Sequence, residues 1–409
     1  MARICLIRGW YYPVDERINR EVDALLRDGH EVDIICARMP GQRAVEHVGR
    51  VTVHRLPIAR KRGGLRRYVF EFVAFQAAAT VHAALLHLRR RYAVVQVNSL
   101  PDWLVFAAIV PRLLGARVLL DLHECMPEYA STKYGLSLRH PVVRILEWVE
   151  QASIRFANGV ITCTDQMKEL FVDRGAPADK MGVVLNSFDE DRLQPERYRA
   201  SPPADGLFTL VCHGTLDPNF GVDLAIRAVA LLADRIPELR LRIYGDGPQR
   251  PELVALVARL GIEDRVWLSD GFIPITDLLP RIVAADAGVV AIRRDAFRDR
   301  THCNKMYDLI AMRRPVIISR TRAVEEYFGD ACFAMFRSGD AEDLARAIAL
   351  VHANPELRLR LVERATAVSE PYRWAHQRER YLGAVRRLVP RAAEAEQPRP
   401  SVVATAEEH

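Results

Sequence analysis

The feature that most constrains this chain is an alternation of short apolar strands with helical stretches that runs, stops and starts again. "ARICLIRGW" is a short apolar strand, "RINREVDALLRDGH" is a helical pattern closing on Gly29, and "EVDIICA" is the next strand. A glycine just past the last periodic residue is a helix stop, so these three pieces form one β-α-β unit. The unit recurs at "YAVVQVN" (92–98), the helical "DWLVFAAIVPRLLG" and "ARVLLDLHE" (116–124), and again from "GVITCT" (159–164) to "GVVLNS" (182–187). The polar stretch "DEDRLQPERYRASPPADG" (189–206) carries three prolines and breaks the pattern. The alternation then resumes with "FTLVCHG" (208–214), "LRLRIYGDG" (239–247), "RVWLSDGF" (265–272), "AGVVAI" (287–292) and "PVIIS" (315–319), each separated by helical sequence. Two parallel-sheet α/β domains follow, each with helices on both faces. The expected boundaries are 1–188, a linker at 189–206, 207–370, a helix at 371–390 returning to the first domain, and a disordered tail at 391–409. In such sheets ligands bind beyond the carboxyl ends of the strands, and two domains facing each other form a cleft.

Composition narrows the class of function only coarsely. Half of the 409 residues are hydrophobic and 27% are charged, the profile of a globular protein. A net charge of +6 suits anionic small molecules or an anionic membrane surface. The arginines are dispersed through helices with no basic–aromatic module, so no nucleic-acid partner is expected. Seven scattered cysteines without a C-x-x-C pair point to reduced thiols and a cytoplasmic location, and "MARICLIRGW" is too short an apolar run for a signal peptide. "VFEFVAFQAAATVHAALLHL" (69–88) is about a membrane span long, but Glu71, Gln76 and His82 interrupt it, so it is expected to be a buried helix. The basic flank "RKRGGLRR" (60–67) suits contact with anionic lipid at the inner face of the cell membrane.

The most informative stretch is "CNKMYDLIAMRRPVIIS" (303–319). The chain has only five lysines, and Lys305 is the only one after Lys180. An ammonium is a compact point charge, not interchangeable with the guanidinium used nearly everywhere else here. With a helix starting near Asn304, Lys305 and Asp308 share a face while Met306, Leu309 and Ile310 pack inward. The first helical turn exposes unpaired N–H groups at the positive end of the dipole, which favours an anion. A lysine for a phosphate and a carboxylate for a ribose diol together describe a nucleotide site; a helix-capping Asp beside a solvated Lys is the plainer alternative. "DLHEC" (121–125) looks like a metal cluster, but alternation at a strand end sends neighbours to opposite faces. Three ligands are therefore not expected to converge. Arg17 and Glu21, at i and i+4, read as a helix-surface pair.

"RTHCNKMYDLIAMRRPVIISRTRAVEEYF" resembles the donor-site segment of the family 4 retaining glycosyltransferases of the GT-B fold. "DERINREVDALLRDGHEVDIIC" (15–36), "LLDLHECMPEYASTKYG" (119–135), "VITCTDQMKELFVDRGAPADKMGVVLNS" and "HGTLDPNFGVDLAIRAV" (213–229) are similar to other segments of that family, in the same order. The resemblance implies an acceptor-side N-terminal domain and a C-terminal domain that binds a nucleotide-diphospho-sugar. It implies that Lys305 binds the diphosphate, Asp308 the ribose, Gly214 and Thr215 the phosphates through the backbone, and Ile273 the base. Gly9 would sit in a flexible loop near the reacting centre, and His123 would contact the donor sugar. His123, Lys305 and Asp308 are thus the expected catalytic residues.

Three departures from the family's pattern involve four positions. Asp308 stands for a glutamate, Arg300 falls where a first glutamate is usual, and Thr215 and Phe220 replace an Arg and a Lys. The diphosphate charge would be met by Lys305 and the helix dipole, with Arg293, Arg294 or Arg300 in support, and without a metal or other cofactor. The expected activity is retaining transfer of a sugar to a hydroxyl acceptor: a glycan, a lipid-linked glycan or a natural product. A nucleotide-sugar epimerase or hydrolase, and a non-catalytic nucleotide-sugar-binding protein, are the alternatives.

Overall fold

A computed structural model of the chain describes residues 1–58, 65–190, 193–198 and 206–390. The basic stretch 60–67 lies mostly outside the described residues, as do part of the expected linker and all of the 391–409 tail. Fourteen strands are present among them. The first eight are β1 (Arg3–Tyr11), β2 (Glu31–Ala37), β3 (Val45–Val48), β4 (Val51–Leu56), β5 (Val94–Asn98), β6 (Arg117–Leu122), β7 (Gly159–Thr162) and β8 (Met181–Val183). The others are β9 (Phe208–His213), β10 (Leu239–Tyr244), β11 (Val266–Leu268), β12 (Ala287–Val290), β13 (Val316–Ser319) and β14 (Ala334–Phe336).

They form two sheets. One has the order β3-β4-β2-β1-β5-β6-β7-β8, the other β11-β10-β9-β12-β13-β14. Every pairing is parallel except β3 with β4, a hairpin at one edge. In each sheet the order reverses beside the first strand of its half, between β1 and β5 and between β9 and β12. Such reversals open a crevice at the carboxyl ends, where α/β sheets bind ligands.

Burial explains the strand sequences. Ile4, Cys5, Leu6 and Ile7 are fully buried because helices cover both faces of the sheet. The helix Glu16–Arg27 is capped by Asp15, whose side chain accepts from Arg17 N, and it ends before Gly29 at φ +86°. The C-terminal helix Trp374–Leu388 lies on the first sheet, with Tyr381 and Val385 fully buried among Ile4, Leu6 and Val32. Its Tyr381 hydroxyl donates to Gln96 Oε1 at 2.7 Å.

Two expectations need correction. The helix Leu65–Arg90 is not buried all round. Phe72, Phe75, Ala79 and Ala83 pack into the first domain, while Phe70, Val73, Val81, Leu85 and Leu88 are exposed on the other side. Its length and composition would let it cross a membrane, yet one helical stripe is core. Gly9 lies in no loop but inside β1, where the register with β2 shifts between Arg8 and Tyr11. A bulge of this kind re-aims side chains at a strand end.

Gly288 on β12 has a packing reason. A Cβ there would come within 2.2 Å of the Leu309 side chain, on the helix Asn304–Ala311. Gly288→Ala should therefore lower unfolding stability by about 1–3 kcal/mol through overpacking. Chemical denaturation checks this, and an unchanged midpoint would contradict the close approach.

Candidate active site

The helix Asn304–Ala311 begins after Cys303, whose extended backbone provides no side-chain cap. Its Met306, Tyr307, Leu309 and Ile310 are buried, leaving Lys305 and Asp308 half-buried toward the carboxyl end of β9. The Lys305 ammonium sits 3.9 Å from the centroid of the Phe220 ring, a cation–π contact. Its stem lies over Gly214, where a Cβ would fall 2.4 Å from Lys305 Cε and where φ is +101°. Gly214 is thus both the turn residue after β9 and the floor under the lysine. Asp308 Oδ2 is 3.1 Å from His213 Nε2.

Lys305 lines a cavity of about 320 Å³ whose opposite wall comes from the first domain and includes Arg17, His123, Glu124 and Cys163. Hydrogen bonds close the two domains beside it. The Thr164 hydroxyl donates to the Arg300 carbonyl at 2.6 Å, and the Tyr327 hydroxyl donates to Asp165 Oδ2 at 2.6 Å. A second cavity of about 170 Å³ shares Arg17, His123 and Glu124 and adds Arg8, Gly9, Trp10, Phe72 and Ser99. It lies where the first sheet reverses order, beside the ends of β1 and β5. Glu124 Oε2 is buried without a hydrogen-bond partner, and burial raises the Glu124 pKa against the pull of Arg17 and Arg8.

His123 follows β6 and is 8% exposed. Its Nε2 is 2.8 Å from Asp121 Oδ2, and its Nδ1 is 3.6 Å from Cys163 Sγ. Burial, reinforced by the charges of Arg17 and Arg8, holds its pKa well below the ordinary histidine value, so the ring is neutral. Against the pull of burial, Arg17 and Arg8 hold Asp15 well below the usual carboxylate range.

The structure brings Lys305 and His123 to one cavity and Gly9 to the adjoining one. Gly214 lies beneath Lys305, Asp308 faces His213, Thr215 is exposed, and Ile273 is half-buried against the core cluster of the second domain. Sequence spacing went astray at the surrounding charges. Arg293 is held by both oxygens of Asp223, at 2.9 and 2.8 Å, and Arg294 by Asp299 at 2.7 Å. The Arg300 guanidinium bonds the Ala296 carbonyl. The second domain's arginine that lines the cavity is instead Arg298, paired with Asp295. Arg17 and Glu21 are not a surface pair either. Arg17 turns to Asp15, and Glu21 is buried at 6% exposure.

The expectation that ligating groups do not converge near "DLHEC" also fails, because the third group comes from a distant helix. Glu21, Asp121 and His123 place one donor atom each within 4.8 Å of one another. Asn98 Nδ2 already donates to both carboxyl groups, at 3.2 Å to Glu21 and 2.6 Å to Asp121. The chain's one Asp-x-Asp spacing, Asp189 and Asp191, opens the interdomain segment, and Asp191 lies outside the described residues.

The family described as "Glycosyl transferase 4-like domain" matches residues 14–187, and that described as "Glycosyl transferases group 1" matches residues 208–354. A 2-deoxystreptamine glucosyltransferase from Streptomyces kanamyceticus is 27% identical over 283 residues, covering 66% of this chain and 72% of that protein. An alpha-D-kanosaminyltransferase from the same organism is 25% identical over 344 residues, covering 77% and 84%. Among solved structures, the sucrose-phosphate synthase of Thermosynechococcus elongatus superposes with a TM-score of 0.74 at 20% identity, over 95% of this chain and 99% of that one. That likeness establishes the shared two-domain GT-B fold.

Gly214→Ala should displace the Lys305 side chain and weaken nucleoside diphosphate binding by about tenfold or more, some 1.4 kcal/mol. Titration calorimetry reads this directly; unchanged affinity would separate Lys305 from the phosphate site.

Proposed function

This chain belongs to the group 1, family 4-like glycosyltransferases, and from that premise we propose that it is a retaining, metal-independent enzyme acting on a hydroxyl acceptor. It is a glycosyltransferase supplied by a nucleotide sugar, and the epimerase, hydrolase and non-catalytic binding alternatives fall away. The observation that carries the proposed mechanism is the Lys305 ammonium at a helix start, in the same cavity as His123. Among the described residues Lys305 forms no ion pair, whereas Arg17 and Arg298 are each matched by an aspartate. Its charge remains available to a leaving diphosphate.

In the proposed step the bond from the anomeric carbon to the diphosphate oxygen breaks through an oxocarbenium-like state. The acceptor oxygen bonds to the same face of that carbon, and its proton passes to the leaving diphosphate. Negative charge grows on the diphosphate as the bond opens, and preorganised positive charge lowers that barrier most. Lys305 and the positive dipole end of its helix meet this need without a metal. Asp308 keeps one oxygen on His213 and offers the other to the ribose diol. Gly214 and Thr215 lie beside the phosphates, and Ile273 lies against the base. Neutral His123, with its Nε2 taken by Asp121, presents Nδ1 as an acceptor for a sugar hydroxyl.

The smaller cavity suits the acceptor. Trp10 and Phe72 provide apolar faces, and the unpartnered Glu124 oxygen can accept from a hydroxyl. A glycan, a lipid-linked glycan and a natural product all meet that description. The exposed apolar residues of the helix Leu65–Arg90 support a cytoplasmic enzyme resting on the inner face of the membrane. Anionic vesicles should then sediment more of the protein than neutral ones, with the difference lost at high salt. Equal partition would remove the membrane from the account.

Donor choice follows from a thermal-shift screen against UDP, GDP, ADP and TDP sugars, because a bound donor raises stability by mass action. With the donor so found, Lys305→Ala should lower kcat by about 10²–10³-fold and weaken nucleotide binding. Turnover should survive a chelator, and NMR of the product should show the donor's anomeric configuration. Normal transfer by the lysine variant would refute the assignment.

A further inference from the structure

Beneath His123 runs a buried polar chain that the transfer reaction as described does not use. Tyr381 on the C-terminal helix donates to Gln96 Oε1 at 2.7 Å, and Gln96 Nε2 donates to Glu21 Oε2 at 2.7 Å. Asn98 Nδ2 bridges Glu21 to Asp121, and Asp121 Oδ2 meets His123 Nε2. Gln96 and Asn98 are fully buried, and Asp121 is 2% exposed. Among the described residues no Lys or Arg forms an ion pair with Glu21 or Asp121. Arg8 and Arg17 are spent on Asp15, while Arg20 bonds the Ser187 carbonyl and Asn186. Two carboxyl groups enclosed together without a cation cannot both ionise, so one of them keeps a proton.

Resting on the glycosyl-transfer reading above, we propose that Glu21 is a positioning residue for the reaction: as the neutral acid it donates to Asp121, and Asp121 fixes His123 with Nε2–H inward and the Nδ1 lone pair toward the cavity. The proton belongs on Glu21 rather than Asp121. Burial, and then the Asp121 charge, push the Glu21 pKa up to about 8, whereas burial raises Asp121 only to about 6. Asp121 also accepts from Asn98 Nδ2 at 2.6 Å and faces His123 Nε2 at 2.8 Å, two donors that favour its ionised form. The ionised Asp121 demands an N–H from the imidazole and so selects its tautomer. Nδ1 is left as an acceptor beside Cys163, whose thiol lines the cavity.

The groups facing Glu21 are Arg8 from β1, Arg17 and Arg20 from its own helix, Asp121 in β6 and His123 just beyond it, Cys163 after β7, and Tyr381 from the C-terminal helix. None supplies a second negative charge at neutral pH once Glu21 is protonated. Above about pH 8 Glu21 ionises, Asp121 loses its donor, and the second buried negative charge favours the doubly protonated imidazolium, which no longer offers Nδ1 as an acceptor. The sign for stability agrees. A carboxyl whose folded value is raised favours the folded state at low pH, and this contribution is lost as the pH climbs from the ordinary carboxyl value to about 8.

The test compares kcat and donor KM from pH 6 to 10 for the wild type, Glu21→Gln and Glu21→Ala, with nucleotide affinity measured for each. The wild type should lose kcat above about pH 8. Glu21→Gln, an amide that can still donate to Asp121, should lose about threefold in kcat at pH 7 and lack that alkaline fall. Glu21→Ala should lose at least about thirtyfold in kcat with nucleotide affinity unchanged. Full activity in Glu21→Ala, or a wild-type alkaline limb in Glu21→Gln, overturns the proposal. Should the alanine variant fail to fold, the glutamine variant decides by its pH profile alone. A readout independent of transfer is the ¹⁵N shift of His123, which should report protonated Nε2 and bare Nδ1 in the wild type and in Glu21→Gln at pH 7. Any other tautomer refutes the role of Glu21, whereas absence of transfer with the expected tautomer refutes the mechanism of transfer instead.

Discussion

An ammonium held at the start of a helix, above a glycine and against an aromatic ring, is the interaction on which the rest of the molecule depends. Lys305 reaches its place because Gly214 has no Cβ to block its stem and because Gly288 lets the helix Asn304–Ala311 settle onto β12. Phe220 supports the charge without neutralising it. A carboxylate in that position would have formed a salt bridge and left less for a phosphate. With Phe220 rather than a second cation at its side, Lys305 keeps its positive charge open to the cavity.

The fold's contribution is to place two such crevices face to face. Each sheet reverses strand order beside its first strand, and most of the residues lining both cavities lie at or beyond the carboxyl ends of β1, β5, β6, β7 and β12 or at the start of the Lys305 helix. The C-terminal helix leaves the second domain and packs on the first, so the polar chain beneath His123 starts from a residue, Tyr381, that lies 258 positions later in the chain. Interdomain hydrogen bonds, from Thr164 to the Arg300 carbonyl and from Tyr327 to Asp165, close the cleft beside the cavity.

Much of this was legible in the sequence, and the failures have physical causes. Strand–helix alternation is a local signal, so the parallel sheets and the interruption between domains could be read from it. The short edge hairpin β3–β4 went unread because no helix separates its two strands, so it falls outside the strand–helix alternation. Lys305 stood out because lysine is rare here. Glu21 did not, because its spacing from Arg17 is that of an ordinary surface pair, and only tertiary packing reveals that Arg17 turns to Asp15 and leaves the carboxyl buried. Arg293 and Arg294 looked like phosphate ligands for the opposite reason: their aspartate partners are invisible without the fold.

The most direct measurement is a crystal structure with the cognate nucleoside diphosphate bound. The account requires the distal phosphate within hydrogen-bond distance of Lys305 Nζ, the ribose diol at Asp308, and the space between that phosphate and His123 open for a sugar. A diphosphate bound elsewhere, or Lys305 engaged by a carboxylate and turned out of the cleft, would contradict it.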